Sequence, residues 1–213
     1  MNSKERAELG KKLLPLLPGF VVKGPLIFAA PITHTLRAIH IDADRSEWAH
    51  FQIHAFILPL YVPRDHIAFT FGRRLERPRK VWDIRDSDTI DLLKTMITAE
   101  ALPILAELET SLDTAEAVVR WNRIEDIHTQ EALAYSLVLT GDGHTALTWL
   151  DRIIEDVATG GPQWVLDLGK RAELIKTKLL TDPNEAKAQL AEWRKETLRN
   201  LKLEKYAEEV YTP

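Results

Sequence analysis

Five of the seven histidines fall between His34 and His66, and two pairs of them have even spacing. Side chains alternate along a strand, so His34 and His40 share a face, as do His50 and His54. If the strands carrying the two pairs are neighbours, imidazoles gather on one sheet face beside Asp42 and Gln52. That is a setting for a metal ion or for general acid–base chemistry. Imidazole is equally at home on the solvent face of a half-buried sheet, and no H-E-x-x-H or comparable ligand motif accompanies the pairs. The solvated face is the better reading. His34, His40, His50 and His54 stand as the alternative, with no metal or cofactor expected.

A second constellation is Gly72-Arg-Arg-Leu-Glu-Arg-Pro-Arg-Lys80, five cations and one carboxylate leading to Trp82. Guanidinium forks grip oxyanions in pairs, and an indole offers a stacking surface. Arg73, Arg74, Arg77, Arg79 and Lys80 with Trp82 are therefore expected to contact a partner. Tyr61, in the apolar corner Leu58-Pro-Leu-Tyr-Val-Pro63, is expected to join them as a rigid aromatic contact. The competing readings are a charged edge that discourages strand-to-strand pairing and a packed turn at the corner. Nucleic-acid base reading has no support, since no helix-turn-helix, zinc-finger or RRM signature is present. Other chemistries lack their parts. There is no cysteine, no G-x-S-x-G elbow and no phosphate-cradling glycine loop. The carboxylates at Glu125/Asp126 and Asp151/Glu155/Asp156 have helical spacing without a Glu-x-x-His partner set, and read as solvated helix faces.

The elements that position these residues change character along the 213-residue chain. A helix is expected over residues 4–17. Strands are expected over 20–22, 26–30, 33–42, 51–60 and 67–72, the last two joined by a turn at Pro63-Arg64-Asp65. Short connections between consecutive strands favour an antiparallel meander. In strand four, Phe51, Ile53, Ala55 and Ile57 define an apolar face. Beyond His54 the other face also turns apolar, which predicts burial on both sides.

From residue 86 onward the pattern is helical. Asp88 is expected to cap one helix, interrupted at Pro103, and Asp113-Thr-Ala-Glu116 to open another as a capping box. Helices over 129–139 and 145–157 follow, then one from Pro162 to about residue 180. The last runs from Asp182-Pro183-Asn184-Glu185 to about residue 203. Strands first and helices afterwards give an α+β chain. Residues 1–85 form a helix with an antiparallel sheet of about five strands, and 86–213 form a helical part able to pack on it.

Apolar content of 45% and charge of 28% suit a soluble globular protein. The charged first dozen residues show no signal-peptide core, and no apolar run reaches the roughly 20 residues of a membrane span. A cytoplasmic protein without membrane contact is expected. Residues 1–86 carry 14 Lys+Arg against 9 Asp+Glu, and residues 87–213 carry 14 against 23. Such an asymmetry speaks to partners and association rates rather than to fold.

The leading helix, Gly19-Phe20, Pro59-Leu60-Tyr61-Val62-Pro63, Phe69-Thr70-Phe71-Gly72 with its following arginine, and Trp82 occur in an order that resembles a family of bacterial α+β domains. Toxin-immunity proteins include small domains of this look. The resemblance covers roughly residues 10–110 and carries over no catalytic residue. It implies a non-enzymatic protein that binds another macromolecule, as an inhibitor or immunity-type partner does. The alternative class is an enzyme or ligand binder working through the sheet histidines.

Overall fold

The computed structural model describes residues 1–44, 47–78, 81–106, 111–121 and 124–208. Helix α1 (Ser3–Leu13) opens with a capping box between Asn2 and Glu5, and passes at Pro15 into a 3₁₀ turn. Strands β1 (Phe20–Lys23), β2 (Leu26–Ala29), β3 (Thr35–Ala43) and β4 (His50–Pro59) form an antiparallel meander. The outer edge of β4 is shared by two short strands. Residues 54–57 pair with β5 (Phe71–Arg74), and 50–51 pair with β6 (Trp82–Asp83).

Strand five differs from expectation. The alternation of Ile67, Phe69 and Phe71 reads as a strand from residue 67, yet pairing begins only at Phe71. Residues 63–70 form no ladder and instead lie as an irregular strap across the sheet. There Phe69 stacks on His54, with ring centroids 4.3 Å apart, and meets Phe56 edge-on at 5.1 Å. Aromatic packing takes the place of backbone pairing, because an edge strand loses little by giving up a few bonds that water can replace.

The helices follow: α2 (Thr89–Met96), a π-helical turn (Ile97–Ala101), α3 (Leu102–Ala106), α4 (Ser111–Trp121) and α5 (Ile127–Thr140). Then come α6 (Gly143–Ala158), α7 (Gln163–Thr181) and α8 (Pro183–Asn200). Pro103 has no amide hydrogen to donate, and the π turn lies directly ahead of it. The Asp113–Glu116 box does not open its helix. Helix α4 begins at Ser111, so Asp113 sits in the first turn, where a carboxylate faces the helix dipole favourably. Asp182, by contrast, caps α8 as expected, accepting from the Asn184 amide with Pro183 in the first turn.

The sheet is buried on both faces. Ile27, Ile39, Ile41, Phe51, Ile53 and Ile57 join α1 and the helices after β6 in one continuous apolar cluster. Leu26, Phe28, Leu36, Phe56 and Leu58 form a second cluster under the strap, with Leu198, Leu203 and Tyr206. Helix α5 packs against α4, α6, α7 and α8 and is buried along most of its length. Polar side chains on such a helix need internal partners, and that requirement shapes the site.

Candidate functional site

The basic segment divides between surface and core. Arg73 and Arg74 are exposed on β5, and Arg73 pairs with Glu100 at 3.0 Å. Arg77 is withdrawn, only 6% exposed. Its fork reaches Asp86 at 2.5 Å and Asp88 at 2.7 and 2.9 Å. The Asp88 carboxylate therefore serves Arg77 and makes no cap hydrogen bond to α2. Trp82 is 2% exposed, stacks on Phe51 at 6.2 Å, and donates Nε1–H to the Leu75 carbonyl at 2.7 Å. Tyr61 is 1% exposed and its hydroxyl bonds Ser136. Tyr61, Arg77 and Trp82 are thus withdrawn from the outer surface that the sequence pattern assigns them. A buried indole or phenol finds its own partner, and two carboxylates neutralise the arginine. Arg79 and Lys80 lie outside the described residues.

The histidines come together only in part. Strands β3 and β4 are neighbours, and their register sets His40 opposite His54 and Asp42 opposite Gln52. Phe69 lies against both rings, at 5.4 and 4.3 Å. His34 falls ahead of β3, six residues and about 20 Å of strand from His40. His50 meets Asp83 at 3.5 Å. Among the described residues, no group of three or more His, Asp or Glu side chains converges as metal ligands.

Burial is the first cause holding the His40 and His54 rings below the ordinary imidazole range. Asp42 opposes the shift at both, Arg6 and His54 add to it at His40, and Arg74 adds to it at His54. The unfolded chain then takes up protons that the folded chain refuses. This stability is present above about pH 6.5 and is lost as pH falls below it. The urea midpoint should therefore fall between pH 7.5 and 5.5, with a shallower slope in His54→Gln. A flat or rising midpoint would show that these rings are not held neutral in the folded chain.

The site that the structure assembles lies at the other end of the strap. A cleft of about 510 Å³ is walled by the strap's start, the N-terminal ends of α5 and α7, and the last turns of α8. Arg64 is held there by its backbone. Its amide donates to Thr197 Oγ1 at 3.2 Å, and its carbonyl accepts from Asn200 Nδ2 at 3.1 Å. Its guanidinium is half-buried. Nη2 lies 3.4 Å from His128 Nδ1, and Nε is buried without a partner. A guanidinium only donates, so Nδ1 accepts and the His128 proton resides on Nε2. Burial, then the Arg64 charge, keeps His128 below the usual imidazole range. His128 also stacks on Trp164 at 5.1 Å, and Trp164 is 51% exposed.

Across the cleft, Arg171 is committed inward. It holds the fully buried Glu131 of α5, with Nε and Nη2 both 2.8 Å from Oε1. The α5 amides are committed as well, since Asp126 accepts from the His128 and Thr129 N–H groups. Arg64 is the cation left over. Among the described residues no carboxylate lies within ion-pair distance of it, although Glu131, Asp65 and Asp126 act on it from further away. Asp65 is instead hydrogen-bonded to His66 at 2.5 Å. In the sequence Arg64 reads as part of a turn, and nothing local singles out His128 as its neighbour. Their separation of 64 residues is closed only by the packing of the strap on α5.

No protein-family model, curated protein or solved structure matches the chain. Among the described residues, no helix is long and apolar enough to cross a membrane.

Proposed function

We propose that the protein is a non-enzymatic binding protein that holds a macromolecular partner by an acidic side chain seated against Arg64. The carrying observation is the half-buried Arg64 guanidinium, which opens on a polar cleft and has no ion-pair partner among the described residues. A desolvated cation gains most from a charge-assisted bond to a carboxylate, and His128 Nε2–H is a second donor beside it. The half-exposed Trp164 ring adds an aromatic contact of the kind that anchors interfaces. An inhibitor or immunity-type role, which the sequence resemblance implies, is the form of binding proposed.

The test is capture from the native host's lysate at low and moderate salt, with wild type, Arg64→Ala and Arg73→Glu/Arg74→Glu compared side by side. The partner captured by wild type should be lost by Arg64→Ala, with an affinity drop of at least about 30-fold, the lower end for breaking a desolvated charge pair. The melting temperature should hardly move, because the backbone contacts of Arg64 survive. Loss in the β5 double variant with retention in Arg64→Ala would transfer the site to the exposed arginines of β5. Retention in both would overturn an arginine-centred interface.

A further inference from the structure

We infer that the protein has a second, separate site: a chamber beside Arg194 that takes a small monocarboxylic acid, carboxylate toward Arg194 and His34, hydrocarbon tail against Leu139 and Leu190. The chamber has a volume of about 150 Å³ and is lined by α8 residues together with His34, Tyr61 and Leu139. Tyr61 lines this chamber and Arg64, three residues on, lines the cleft, so the two cavities flank the same stretch of chain.

Charge is the first part of the argument. Arg194 is 7% exposed. Nε donates to the Thr33 carbonyl at 2.5 Å, and Nη2 to the carbonyls of Ile32 and Glu208 at 3.0 and 2.9 Å. Those bonds satisfy donors without neutralising the cation. Among the described residues no carboxylate reaches ion-pair distance. The Glu208 carboxylate acts from further off, and burial disfavours the charged form. A buried cation without a counter-charge is costly, and an anion in the adjoining chamber removes that cost. Nη1 is left without a described partner.

His34 is the second part. It is half-buried on the chamber wall, and neither ring nitrogen has a hydrogen-bond partner among the described residues. Burial and the Arg194 charge hold it below the ordinary imidazole range, so it faces the chamber neutral, with one N–H to donate. Lys195 and Glu192, which also line the chamber, are exposed and already paired with each other at 2.7 Å.

Shape decides the ligand class. The remaining walls are Tyr61, Leu139, Ala188, Leu190 and Ala191, which solvate a hydrocarbon and not a second charge. A cavity of this size accepts a benzene-sized molecule. A carboxylate with a tail of a few carbons meets both halves, whereas inorganic phosphate meets only one.

Sodium butyrate, butyramide and inorganic phosphate, at matched ionic strength, are the probes, read by calorimetry and thermal shift on the whole protein. Butyrate should bind one to one and raise the melting temperature. Butyramide and phosphate should each bind at least tenfold more weakly. His34→Ala should weaken butyrate about tenfold, and Ala191→Leu, which fills the chamber, should abolish binding while leaving the melting temperature of the free protein within a few degrees. Arg64→Ala should bind butyrate like wild type, so this result stands apart from that for the partner cleft. The proposal is overturned if butyrate does not bind, if butyramide or phosphate binds as well, if Ala191→Leu leaves binding intact, or if Arg64→Ala removes it.

Discussion

Arg171→Ala is expected to lower the unfolding free energy by about 3–5 kcal/mol, the usual cost of leaving one member of a buried ion pair alone. Glu131 is fully buried in α5. Its Oε1 accepts from Arg171 and, at 3.3 Å, from the Tyr135 hydroxyl, while Oε2 has no partner. Removing the guanidinium strands a carboxylate in an apolar surround, with the buried Tyr135 ring as its neighbour. Glu131→Gln with Arg171→Met should recover more than half of the loss, since no charge is then left behind and the amide oxygen still accepts from Tyr135. Urea unfolding of wild type, Arg171→Ala and the double variant checks this. A cost under about 1 kcal/mol for Arg171→Ala would show that Glu131 does not depend on Arg171 as its counter-charge. The prediction also bears on function. Because Arg171 is tied to Glu131, the free charge of the cleft belongs to Arg64 alone among the described arginines that line it.

Fold and site were legible in the sequence to different degrees, for different physical reasons. Period-two alternation in β4, with the switch to burial on both faces after His54, is written in the residues themselves, and the sheet follows it. The left-handed glycine that ends α5, Gly141, and the cap at Asp182 are local chemistry of the kind a sequence carries. The strap misled because Ile67, Phe69 and Phe71 alternate whether they pair with a strand or pack across one. Glu131 left a signal that periodicity alone does not weigh. It begins a run through Ala132, Leu133, Ala134, Tyr135 and Val138 that is buried on more than one side, so its carboxylate had to find an internal cation. Which cation was not legible, because Arg171 lies 40 residues away on another helix. The cleft has the same character: the contacts that join its walls, Arg64 with His128, Thr197 and Asn200, are distant in sequence and near only through tertiary packing.

The basic segment shows the opposite failure, in which a local pattern is real but its surface is not, and Trp82→Ala exposes the difference. We expect Trp82→Ala to cost about 3–5 kcal/mol, the range for deleting a large aromatic from a packed core. The ring covers Phe51, receives the Arg77 guanidinium at 5.9 Å and ties the chain back to Leu75 through Nε1. Trp82→Phe should cost roughly half as much, keeping the stacked ring and losing the indole hydrogen bond. Denaturant unfolding of both variants, beside Arg73→Glu/Arg74→Glu, separates the readings. If Trp82 were a contact residue, its loss would spare stability and remove the partner. With the indole in the core, Trp82→Ala instead lowers stability, whereas the β5 double charge reversal changes an exposed surface and leaves the melting temperature nearly unmoved. Within a single run of residues, the cations that point to water and the aromatic that points inward are then told apart by where the free energy goes.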